Sequence, residues 1–146
     1  LQPEMSATAV TERFVAAISA GYDLIITNYA NPDMVGHTGD IEAAIKACEA
    51  VDHELGRAIE AVRARGGKML VTADHGNCEQ MLDYQSGQHH TQHTTEKVPL
   101  VYIGNSSLEL DPAGGILADI APTLLAMMNI ASPKEMTGRS LAGPKS

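Results

Sequence analysis

Seven residues, Ile41, Ile45, Cys48, Val51, Leu55, Ile59 and Val62, recur at gaps of 4, 3, 3, 4, 4 and 3. Only an α-helix gathers such a series into one stripe. Asp40 stands where an N-cap belongs, and Gly66-Gly67 stands where a helix stops. A short aliphatic run flanks the helix on each side. Asp23-Leu24-Ile25-Ile26-Thr27-Asn28-Tyr29 precedes it and Lys68-Met69-Leu70-Val71-Thr72-Ala73 follows it. Each reads as a buried strand. Two strands joined by a long helix make a βαβ unit, so the two are expected to be parallel.

The remaining elements fit the same class. A first helix is expected from a cap at Ser6 or Thr8, with Val10, Phe14, Val15 and Ile18 on one face and Gly21 at its end. Residues 98–104 read as a third strand, near an edge because of Pro99. Residues 116–129 read as a last helix, and residues 142–146 as a frayed tail. The aromatic residues are four Tyr and one Phe, so aliphatic side chains must fill the interior. That suits helices packed on parallel strands better than an aromatic-rich sandwich. The predicted fold is α/β, with a three-layer α/β/α arrangement around a mostly parallel central sheet.

The net charge of -8 argues against a nucleic-acid binder, which needs a basic face to displace counterions. It leaves a small anionic substrate open, because a bound metal can reverse the local field. No apolar stretch approaches membrane-spanning length, so no membrane partner is expected. Cys48 and Cys78 lack CxxC spacing, and a reducing cytoplasm is the expected compartment. The opening Leu1-Gln2-Pro3-Glu4-Met5-Ser6, with no initiator Met, reads as part of a longer polypeptide or as a processed product.

The chemistry lies in two loops that follow predicted strands. Five of the six histidines, His37, His75, His89, His90 and His93, fall there. In a parallel sheet such loops emerge at the carboxyl edge, where ligands bind. Asp33 and His37 are four apart, in a stretch read as a loop, and can converge on a metal from a helical turn or a tight loop. Taken alone, that pair fits a backbone-capping Asp and an exposed His equally well. Asp74 and His75 sit together at a strand end, followed by Gly76. Neighbouring strand residues point to opposite sides. A kink at Gly76 would let both serve one ion; otherwise each could face a different ion. His93 lies nearest the third strand and should be held rigidly, whereas His89 and His90 read as a lip or as outer groups. His53 belongs to the wet face of the long helix with Glu49, Asp52, Glu54 and Glu60. Mixed carboxylate and imidazole ligands suit borderline ions such as Mn²⁺ or Zn²⁺, and the absence of Cys among them argues against a structural zinc knot.

With those residues assembled, the chain resembles the carboxy-terminal part of the 2,3-bisphosphoglycerate-independent phosphoglycerate mutases. The resemblance is carried by Asn28-Tyr29-Ala30-Asn31-Pro32-Asp33-Met34-Val35-Gly36-His37-Thr38-Gly39, Thr72-Ala73-Asp74-His75-Gly76-Asn77 and His93-Thr94-Thr95 with Val98-Pro99. Asp119-Ile120-Ala121-Pro122-Thr123 and Met136-Thr137-Gly138-Arg139-Ser140-Leu141 fit the family's closing helix and tail. The first motif is specific to the mutases. The Asp-His-Gly and His-Thr pieces are shared across the alkaline-phosphatase superfamily.

The resemblance implies an isomerase of glycolysis that interconverts 3-phosphoglycerate and 2-phosphoglycerate through a phosphoserine. It implies two Mn²⁺ or Mg²⁺ ions and no bisphosphoglycerate. Asp33, His37 and His93 would hold one ion. Asp74 and His75 would hold the other, together with an Asp and the nucleophilic Ser of an amino-terminal segment. Residues 1–146 would then be the carboxy-terminal segment of a phosphatase-like domain, without that segment and without the inserted transferase domain. No Ser here matches the nucleophile; Ser6, Ser19, Ser86, Ser106 and Ser107 all lie outside its motif. The chain alone is thus expected to be an incomplete, inactive half-site with an open sheet edge. It is expected to self-associate or to be only marginally stable, whereas the longer parent is expected to be a monomer. Another superfamily phosphomutase or phosphatase and a non-catalytic metal-binding module are the alternatives.

Overall fold

The structure is a computed structural model that describes residues 2–104 and 108–144. The chain divides into two compact units, Leu1–Arg65 with His75–Val98, and Gly66–Asp74 with Pro99–Ser146.

The first unit is built on helices α1 (Ala7–Ala20), α2 (Asn31–Gly36) and α3 (Ile41–Ala64). Gly21 ends α1 in the left-handed conformation at φ 83°, and its N–H reaches back to the last turn. Asp40 caps α3 by accepting the Ala43 N–H at 3.0 Å. Ser6 makes no side-chain cap. Thr8 instead donates across to Glu54 on α3 at 3.0 Å. Glu54 is buried, yet Arg57 donates to its other oxygen at 2.7 Å. Burial disfavours the charged carboxylate, but the hydrogen bonds from Thr11 and Thr8 and the Arg57 guanidinium outweigh it. The Glu54 carboxyl is therefore held below its ordinary range.

A compact cluster of Val35, Ala43, Ala44, Ala47 and Met81, with Cys78 packed on it, joins α2 and α3 to residues 76–82. Small alanines let the backbones approach closely. Gly36 matters for the same reason. A Cβ there would run into the Asn77 carboxamide and lie 3.1 Å from Cys78 Sγ. Buried Asn31 fixes the start of α2, donating to the carbonyls of Pro3 and Glu4 at 2.8 Å each.

The second unit holds β1 (Met69–Thr72), β2 (Leu100–Ile103), β3 (Leu108–Leu110), a 3₁₀ turn at Leu117–Asp119, α4 (Ile120–Met127) and β4 (Ala142–Pro144). β1 pairs with β2 antiparallel, Met69 opposite Ile103 and Thr72 opposite Leu100. β3 pairs with β4, also antiparallel. Asp119 organises the turn into α4, accepting the N–H groups of Ile116 and Arg139 at 2.9 and 2.8 Å. Those two bonds hold its carboxyl below the ordinary range. Pro122 is tolerated because it falls in the first turn of α4, where its missing N–H would have had no helical partner.

Helices and strands thus alternate in an α/β chain, but several expectations change. Both ladders among the described residues are antiparallel, so the parallel βαβ pair is not formed. Residues 23–29 form no strand; Leu24 and Ile26 are 46% and 77% exposed. The segment has the composition of a strand, but no ladder among the described residues includes it. It lies instead beside α1, where Val10, Phe14, Ile25 and Ile26 line an open groove of about 390 Å³. The apolar stripe of α3 is also displaced. The buried face is Ala43, Ala44, Ala47, Glu54, Ala58 and Val62, whereas Ile41 and Ile45 are exposed. A helix with alanines on one face and branched residues on the next buries the face that permits the closer approach. Residues 142–144 form β4 rather than a frayed tail, and residues 145–146 lie outside the described residues, as do Ser106 and Ser107. No helix among the described residues is long and apolar enough to cross a membrane.

Two predictions test this packing. Because the folded pKa of Glu54 is depressed, its contribution is present above the unfolded carboxyl value of about 4.3 and is lost as pH falls through the folded value. Glu54→Gln should lower the urea-unfolding free energy by about 1–3 kcal/mol at neutral pH. The deficit should shrink in acid; a deficit that does not change with pH would contradict the assignment. Gly36→Ala should cost about 1–3 kcal/mol through the forced displacement of Asn77. Gly56→Ala is the control: a Cβ there meets nothing within 4 Å, so it should gain about 0.5–1 kcal/mol. Equal effects at the two glycines would rule out the close approach at Gly36.

Candidate metal centre

Within the first unit, three segments deliver side chains to one point. Pro32 starts the short helix α2, which places Asp33 in its first turn and His37 at its end. The spacing of four brings His37 Nε2 to 3.2 Å from Asp33 Oδ1. His93 Nε2 lies 2.9 Å and His75 Nε2 3.9 Å from the same oxygen. Asp33, His75 and His93 each offer a ligand atom, all within 4.8 Å of one another, and so form a group that could hold a metal ion. His37 Nε2 is 3.1 Å from His93 Nε2, and the His75 and His93 rings stack with centroids 3.7 Å apart.

Such crowding needs support from outside the cluster. The Nδ1–H of His37 donates to the Thr91 carbonyl at 2.6 Å. A carbonyl only accepts, so this bond places the ring proton on Nδ1 and leaves Nε2 with a lone pair towards the cluster. Asn77 Nδ2 donates to Asp33 Oδ1 at 3.1 Å. The segments bearing His75 and His93 are joined one residue further on, where the Thr94 N–H donates to Gly76 O at 3.0 Å. Glu79 clamps that junction: one oxygen accepts the Asn77 N–H at 2.6 Å and the other accepts the Thr94 hydroxyl. Burial opposes the Glu79 charge, but the Thr94 and backbone hydrogen bonds and nearby His75 hold its carboxyl below the ordinary range.

The donor types gathered here, a carboxylate oxygen and imidazole nitrogens, fit a borderline divalent cation. Among the described residues, the group that could hold an ion includes neither His89 nor His90. Backbone pairing holds both in a local turn, through the Leu82–His89 bridge and the His90 N–H to Met81 O at 2.9 Å. His53 is exposed on α3. Asp74 is exposed at the end of β1 and belongs to the second unit, while His75 belongs to the first. His75 offers its ligand atom within the same group as Asp33 and His93. Asn77, Glu79, Thr91 and Thr94 received no role from the sequence. The nearest signal was position: each lies within four residues of a candidate histidine.

The chain has relatives among known proteins. It is 61% identical to a 2,3-bisphosphoglycerate-independent phosphoglycerate mutase of Psychrobacter arcticus, over 97% of this chain and 26% of that protein. It is equally similar to the proteins of the same name from a Ruegeria species and Agrobacterium fabrum, over 97% of this chain and 28% of each. The chain thus spans little more than a quarter of the length of these relatives. Its fold superposes on the crystal structure of a phosphoglycerate mutase of Leishmania mexicana, studied at low cobalt concentration, with a TM-score of 0.89 and 31% identity. That match covers 99% of this chain and 30% of the other. A model of the metalloenzyme superfamily matches residues 1–132, a span that includes every donor converging on Asp33, and the chain belongs to that superfamily.

Proposed function

We propose that this chain is the carboxy-terminal, metal-binding segment of the phosphatase-like domain of a phosphoglycerate mutase. The whole enzyme would interconvert 3-phosphoglycerate and 2-phosphoglycerate in cytoplasmic glycolysis, through a phosphoserine and without bisphosphoglycerate. Asp33, His37 and His93 would hold one divalent ion, with His75 beside them. Asp74 and His75 would contribute to a second, completed by residues outside this chain. Mn²⁺ and Mg²⁺ are the proposed ions.

The strongest support is the orientation of His37. Its Nδ1–H is committed to the Thr91 carbonyl, so Nε2 faces Asp33 with the other two imidazoles. When bound, the ions would stabilise charge on the phosphoryl oxygens and on the attacking and leaving oxygens. The chain's own residues prepare the place. Asn77 orients the Asp33 carboxylate, Thr91 selects the His37 tautomer, and Glu79 with Thr94 fixes the segments that carry His75 and His93. In a chain of net charge -8, bound cations would supply positive field towards a phosphorylated carboxylic acid. The nucleophilic serine lies outside this chain. Metal binding without turnover is therefore the behaviour proposed for residues 1–146.

Calorimetry tests the assignment. Mn²⁺ should bind the chain near neutral pH, and Asp33→Asn should abolish the measurable heat. Asn77→Ala should weaken binding roughly 10–100-fold, the usual effect of losing an outer partner. No heat with the unaltered chain, or undiminished binding by Asp33→Asn, would rule the centre out.

A further inference from the structure

Two thiols outside the donor cluster belong to the first unit. Cys48 is exposed on α3, and Cys78 is half-buried directly after Asn77; both are free. They line one cleft of about 280 Å³ with Ile45, Glu49 and Met81. Cys78 packs on the Val35, Ala44 and Met81 cluster, and its thiol donates to the Pro32 carbonyl at 2.9 Å. Its other neighbour is the Cys48 thiol. Burial first, then the charge and hydrogen bonding of Cys48, push Cys78 up to about 11. The two thiols thus line the same cleft, one open to solvent and the other sheltered and kept protonated.

We propose that Cys48 and Cys78 are a redox pair, which a peroxide closes to an intramolecular disulfide that detaches Cys78 from α2. The exposed sulfur reacts first. The Cys48 thiolate attacks one peroxide oxygen, the O–O bond breaks, and Cys48 becomes a sulfenic acid as the first water leaves. Cys78 sulfur then displaces the hydroxyl group. The S–S bond forms, the S–O bond breaks, and the Cys78 proton leaves with the hydroxyl as the second water. Two thiols have lost two electrons and two protons, and one peroxide has become two waters. Forming the bond uses up the S–H that Cys78 had donated to Pro32 O. Pro32 lies in the first turn of α2, immediately before Asp33. Oxidation therefore removes one tie between residues 76–79 and that helix.

The test is mild hydrogen peroxide applied to the full chain, read by thiol titration and mass spectrometry. Both thiols should disappear, the mass should fall by two hydrogen atoms, and digestion should yield a peptide joining residues 48 and 78. Dithiothreitol should restore the thiols. Cys48→Ser should leave Cys78 largely reduced, whereas Cys78→Ser should let Cys48 proceed to the sulfinic acid. Amide exchange across α2 should become several-fold faster in the oxidised chain and slow again on reduction. Intermolecular disulfides or separate sulfinic acids without the joined peptide would overturn the pair. The joined peptide with unchanged exchange across α2 would overturn its link to that helix.

Discussion

Asp33 Oδ1 is the atom on which the first unit converges. Three imidazole nitrogens lie 2.9 to 3.9 Å from it, and an amide donor sits at 3.1 Å. An isolated carboxylate oxygen gains little from so many neighbours, and two imidazole nitrogens 3.1 Å apart cannot both carry protons without steric and electrostatic cost. A divalent cation resolves that conflict. Asp33 and the imidazoles around it would hold such an ion, which would take up ring lone pairs and offset the carboxylate charge. The proton placed on His37 Nδ1 by Thr91 is the detail that makes this reading stronger than a chance meeting of polar side chains.

What holds the donors there is backbone proximity rather than a large core. Alanines on α3 and the bare Cα of Gly36 bring α2, α3 and residues 76–82 close enough for the Asn77 amide to reach Asp33. Glu79 then satisfies two donors on separate segments. It pins the chain after His75 to the chain after His93. Substituting a larger side chain at this junction would move the donors themselves, even though it removes none of them.

Local signals were legible from the residues alone. Gly21 ends α1, Asp40 caps α3, and β1 and β2 lie within the runs expected of strands. The residues alone left the Asp33–His37 pair ambiguous, and only the family resemblance implied that His93 joins it; in the structure the nitrogens of His37, His75 and His93 lie 3.2, 3.9 and 2.9 Å from Asp33 Oδ1. Long-range pairing was not legible. Residues 23–29 carry strand composition, but composition does not name a partner, and β1 pairs antiparallel with β2 instead. The buried face of α3 was misread because hydrophobicity favours Ile41 and Ile45, whereas close approach favours Ala43, Ala44 and Ala47. Glu79 and Thr91 act by meeting backbone groups or residues distant in sequence, which no spacing rule encodes.

The convergence of imidazoles on Asp33 is most directly tested by nuclear magnetic resonance of the six histidine side chains during a Mn²⁺ titration. Paramagnetic broadening should strike His37, His75 and His93 together at the first additions, while exposed His53 stays sharp. Broadening that spreads evenly over all six rings, or that spares His37 and His93, would contradict the account.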